Sequence, residues 1–100
     1  MILTGCTCKN TFTIPFSEDD IEAMVITYCQ DKVPIVEKLL CDCSFEDGYA
    51  CVDLSQEDTL KFKDNALVKI QIKIKLNDGS VTKSKSIEVR ADEVLNREVL

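Results

Sequence analysis

One hundred residues with 18 acids, 12 bases and a net charge of −6 make a single domain, large enough to bury a modest core without metal or disulfides. The acidic balance argues against nucleic acid as a partner. The absence of histidine removes most general-base, Cys-His and Ser-His chemistry, and no run approaches the roughly 18 apolar residues of a membrane span.

Residues 1–9 read as an irregular leader ahead of a domain over 10–100. Leu3-Thr4-Gly5-Cys6 matches a lipoprotein cleavage box, but neither a basic nor an apolar region precedes it, so the match reads as accidental. From Asn10 to Phe16 the apolar residues Phe12, Ile14 and Phe16 alternate with threonines, and Pro15 suits an edge strand or a strand end. Ser17, followed by Glu18, Asp19 and Asp20, reads as a helical-turn start with acids in its first turn. Met24–Gln30 and Val33–Leu39 flank Asp31-Lys32 as two further strands, and Asp47-Gly48 turns the chain into a strand over Tyr49–Leu54. Ser55-Gln56-Glu57-Asp58 carries a capping-box signature, so a helical turn is expected over Gln56 to Leu60.

Residues 66–90 hold the clearest signal. Val68, Ile70, Ile72, Ile74 and Leu76 alternate with Lys69, Gln71, Lys73 and Lys75, a strand with one buried and one wet face. Asp78-Gly79 offers a two-residue hairpin turn, and Ile87 and Val89 lie on the return strand. That turn pairs Ile74 with Lys83 and Ile72 with Lys85, placing two lysines on the apolar side. The favoured resolution is a hairpin tip that projects beyond the core and keeps both lysines wet; the other is a bulge near Ser84. Val94, Leu95, Val99 and Leu100 close the chain. Short strands at this spacing predict an all-β fold, a β-sandwich of about seven strands with one or two short helical turns. The turn before the penultimate strand fits the corner of an immunoglobulin-like Greek key.

Charge is unevenly spread. Residues 1–60 carry 12 acids and 3 bases, a net −9, whereas residues 61–100 carry 6 acids and 9 bases, a net +3. The simplest reading of the lysines is a solvated strand face that resists edge-to-edge pairing. If the face binds a partner, Lys69, Lys73, Lys75, Lys83 and Lys85 are the candidate residues.

Six cysteines are the other unusual feature. Cys29 and Cys51 fall within expected strands and read as small buried apolar groups. Two C-x-C pairs, Cys6 with Cys8 and Cys41 with Cys43, could supply four thiolates to a zinc ion, although structural zinc sites usually use C-x₂-C knuckles. Free thiols are the favoured reading, with zinc or disulfides as the alternatives. The acids Glu18, Asp19, Asp20 and Glu22 lack the spacing and glycine of a calcium loop. No cofactor is expected.

Three segments in order, NTFTIPF, YCQDKVPIVEK and VDLSQEDTLKFKDNALVKIQIKIKLNDGSVTKSKSIEV, resemble small structural proteins of tailed phages and prophages of Gram-positive gut bacteria. Gln56, Glu57, Thr59, Phe62, Gln71, Gly79 and Ser84 or Ser86 stand where that pattern wants them. The group is also similar to the immunoglobulin-like N-terminal domain of phage baseplate upper proteins. The resemblance implies a non-enzymatic virion component of tail or baseplate, or of the head, made in the host bacterial cytoplasm. Its expected partners are other virion proteins and copies of itself, with no nucleic acid, membrane or small-molecule substrate. The alternatives are a zinc-binding adaptor and a generic Ig-like interaction domain. The cysteine-rich leader and Cys41-x-Cys43 depart from the group's pattern.

Overall fold

The computed structural model describes residues 2–3, 5–46, 48–63, 65–84 and 86–92. They contain nine strands: β1 (Ile2–Leu3), β2 (Cys8–Thr13), β3 (Ile21–Gln30), β4 (Val33–Leu39), β5 (Cys43–Glu46), β6 (Tyr49–Leu54), β7 (Ala66–Leu76), β8 (Val81–Lys83) and β9 (Ile87–Asp92). One helical turn, α1 (Gln56–Leu60), joins β6 to β7, and 3₁₀ turns occupy Glu18–Asp20 and Leu40–Asp42. The fold is all-β, in two sheets. One runs β1-β9-β7-β3-β4, with β8 also on β7; the other runs β2-β6-β5. Pairing is antiparallel except between β1 and β9.

Alternation along the strands builds the core. β7 buries Val68, Ile70, Ile72 and Ile74 while Lys69, Lys73 and Lys75 stay exposed. β3 turns Met24, Ile26 and Tyr28 to the same interior, and the facing sheet contributes Phe12, Ala50, Val52 and Leu54. Phe62, from the loop after α1, is 2% exposed and meets Tyr28 edge to face at 6.0 Å between centroids. Full burial of each such side chain is worth roughly 1.5–3 kcal/mol. Two buried polar residues, Gln30 and Thr59, act as clamps for irregular backbone. The Gln30 amide donates to the Lys63 carbonyl (3.0 Å) and accepts the Lys63 N–H (2.7 Å), completing a ladder where no strand runs.

Several expectations need correction. The leader is not simply irregular: Ile2 is fully buried and pairs with Ala91. The connection to β2 is fixed by Thr59, whose hydroxyl accepts the Gly5 N–H (3.0 Å) and donates towards the carbonyls of Cys6 (2.9 Å) and Gln56 (3.1 Å). β2 starts at Cys8 and ends at Thr13, before Pro15. Ser17 makes no side-chain cap, whereas Ser55 and Asp58 form the expected capping box. β5 was not anticipated. Val94, Leu95, Val99 and Leu100 lie outside the described residues.

The hairpin also differs. Leu76 and Ser80 close a three-residue loop, with the Leu76 N–H on the Ser80 carbonyl (2.9 Å) and the Gly79 N–H on the Leu76 carbonyl (2.9 Å). Gly79 takes the positive φ of +91°, and Asp78 does not share it. Over β8 the register therefore pairs Lys73 with Lys83 and Lys75 with Val81. By Ile70↔Ile87 and Val68↔Val89 it has returned to the expected pairing. One extra residue between Ser84 and Ile87 makes up the difference, a bulge. Ser84 eases it: its N–H donates to the Ile72 carbonyl (2.8 Å) and its hydroxyl accepts the Ile72 N–H (3.0 Å). Lys83 thus stays wet through register, not through a projecting tip.

Candidate interaction surface

The outer face of the six-stranded sheet is assembled by register. Residues directly opposite each other on antiparallel strands share a face. Leu39 on β4 opposes Val25 on β3, Val25 opposes Lys73 on β7, and Lys73 opposes Lys83 on β8. The next row is Ala23, Lys75 and Val81. Ala23, Val25, Leu39 and Val81 form the apolar part of a shallow groove bounded by Lys73 and Lys75, and Lys83 stands opposite Lys73. Leu39 and Val81 are 52% and 55% exposed, which leaves apolar surface open beside the lysines.

Electrostatics separate the lysines. Lys75 reaches Glu22 at 3.6 Å, an exposed pair of small energetic value. Among the described residues, no carboxylate oxygen comes within 4.0 Å of the ammonium of Lys73 or Lys83. Two like charges held directly opposite each other across a ladder are unfavourable. Lys69 lies further along, opposite Cys29 and Glu88. Lys85 lies outside the described residues. The sequence identifies the lysines, but Val25 and Leu39 join them only because β3 and β4 lie beside β7.

The four cysteines offered for zinc do not converge. β6 separates β2 from β5, so Cys8 (opposite Leu54) and Cys43 (opposite Val52) stand at least two strand spacings apart, roughly 9.5 Å. Thiolates sharing a zinc ion sit about 2.3 Å from it. Cys41 is exposed on its 3₁₀ turn and Cys6 half-buried in the β1–β2 connection. Among the described residues, no group of three or more metal-ligating side chains forms a cation site. Among the described residues, no disulfide joins any of the six cysteines.

A polar seam runs where Cys8 and Cys43 meet the core. The Tyr28 hydroxyl donates to Asn10 Oδ1 (2.7 Å), and Asn10 Nδ2 approaches Cys8 Sγ at 3.4 Å. Burial, with the neighbouring Cys8, Cys43 and Asp58, pushes the Tyr28 phenol well above its ordinary range. Burial first, then Asp42 and Cys41, also raises the Cys43 thiol, leaving it a poor nucleophile. Close by, Lys38 Nζ is held by Asp58 Oδ2 at 2.9 Å. These bonds tie β2, β3, β4 and α1 together and build structure. No family model, no curated protein and no solved structure matches the chain.

Proposed function

We propose that this chain is a non-catalytic structural and assembly protein of a phage particle, a tail or baseplate accessory or a head-associated component, built as an immunoglobulin-like sandwich and acting through protein–protein contacts. The strand order supports that architecture. β1-β9-β7-β3-β4 in one sheet and β2-β6-β5 in the other, with a helical turn before β7, is compatible with a Greek-key sandwich of this kind. The ordered sequence segments resembling small virion proteins support the setting: synthesis in the host bacterial cytoplasm and residence in the virion.

The observation that carries the reading is the apolar groove bounded by Lys73 and Lys75, with Lys83 directly opposite Lys73 and no carboxylate within 4.0 Å of either member of that like-charged pair among the described residues. Such a face is costly to leave in water and suits an apolar partner bearing acids. Mass spectrometry of density-purified particles from a host that carries the gene is expected to find the chain in fixed ratio to the major virion proteins. Its absence from such particles would refute the proposal.

A further inference from the structure

We propose that the groove on the six-stranded sheet binds a second copy of this chain about a two-fold axis, each copy's acidic turn Glu18–Asp20 seating on the other's Lys73–Lys83 pair. The inference rests on the reading of this face as an assembly surface and names its occupant.

Both halves of the contact lie at one end of one sheet. The acidic turn leads directly into β3, whose first residues pair with the hairpin end of β7, Ile21 with Leu76 and Ala23 with Lys75. The turn is held there by its backbone. The Asn77 N–H donates to the Asp20 carbonyl (3.0 Å), and Asn77 Nδ2 donates to the Asp19 carbonyl (2.7 Å). The backbone that carries its three carboxylates therefore needs little ordering on association. They are exposed, and among the described residues none has a cation within 4.0 Å.

An acidic segment of an unrelated protein would neutralise the lysines and leave the acidic turn unmatched. A second copy satisfies both at once. An acidic turn adjoining the end of the sheet that carries the lysines allows a two-fold contact, since each residue pair then occurs twice. Leu39, Val25 and Val81 would form the apolar centre, with the charged pairs at the rim. The molecule measures 46 × 26 × 17 Å, so its broad face has room for the roughly 800 Å² per partner of a standard interface. A net charge of −6 on each copy opposes approach at long range, so a modest affinity follows.

Sedimentation velocity of the full chain from about 1 to 200 µM, the span of a weak complex, is the test. The wild type is expected to pass from monomer to dimer within it. Lys73→Glu/Lys83→Glu and Glu18→Lys/Asp19→Lys/Asp20→Lys should each raise the dissociation constant tenfold or more while remaining folded by circular dichroism. Mixing the two variants should restore a dimer, because both contacts are then attractive with the signs exchanged. A wild type that stays monomeric at 200 µM, or a mixture that stays monomeric, would overturn the inference. A monomer found in purified particles would remove this contact and leave the virion reading standing. A charge-swapped dimer absent from particles would do the reverse.

Discussion

Replacing Phe62 by alanine is expected to lower the free energy of unfolding by about 3–5 kcal/mol. The ring is 2% exposed and packs edge to face on Tyr28, itself fully buried. It is delivered by a short irregular segment between α1 and β7, anchored by the Phe62 N–H on the Thr59 carbonyl (3.3 Å) and by the Gln30 clamp on Lys63. Those anchors prevent the loop from collapsing into the space left behind, so both the transfer cost and the cavity cost should apply. Domains of this size are stable by about 5–15 kcal/mol. The variant should therefore lose a large part of its margin, with Tm falling by roughly 4–8 °C for each kcal/mol. Urea unfolding followed by circular dichroism measures it. Leu67→Ala is the control: that side chain is 59% exposed on β7 and should change stability by no more than about 0.5 kcal/mol. A Phe62→Ala loss as small as the control's would show that the ring does not hold the two sheets together.

Acid is expected to destabilise the domain through Asp58. Its Oδ2 receives Lys38 Nζ at 2.9 Å and the Ser55 N–H at 3.1 Å, while its own N–H donates to Ser55 Oγ at 3.1 Å. The carboxylate therefore caps α1 and links it to β4. Burial pushes its pKa up, but the hydrogen bonds from Lys38 and Ser55 outweigh burial and hold it below the ordinary carboxylate value. A folded pKa below the unfolded one gives stability that is complete above the unfolded value, near 4. That stability is lost as pH falls through the lower folded value. Asp58→Asn keeps a capping oxygen but leaves the Lys38 ammonium, 19% exposed, without its counter-charge. It should cost about 1–3 kcal/mol at neutral pH. Stability curves of the two proteins should then converge as pH drops below about 4. A gap that stays constant from pH 7 to pH 2 would contradict this role for the carboxylate.

Where local chemistry decided the structure, the sequence was legible. β4, β6 and α1 fall where the alternation around Asp31-Lys32, the YACVDL run and the capping box predict them. Periodicity has little to offer a two-residue strand, and so Ile2 was hidden; it is buried because β9 offers it an edge. Cys43 to Glu46 alternates over only four residues, too short a run to distinguish from a loop. The hairpin was misread because Asp-Gly suits a two-residue turn, and only tertiary pairing shows Gly79 alone in the left-handed region.

The candidate surface was half legible for the same reason. Alternating lysines are visible in one dimension, but their row with Val25 and Leu39 depends on β3 and β4 lying beside β7. The Lys73–Lys83 apposition depends on the bulge after Ser84. The cysteines of the zinc alternative do not converge because β6 lies between the strands that carry Cys8 and Cys43, an order that no spacing in the sequence encodes.

Amine-reactive labelling of the chain inside purified particles, compared with the isolated chain at low concentration, tests the assembly reading most directly. Lys73 and Lys83 are expected to be protected in the particle, while Lys32 and Lys61, exposed and away from the groove, label equally in both states. Equal labelling of all four lysines in the two states would contradict the assignment of this face to assembly.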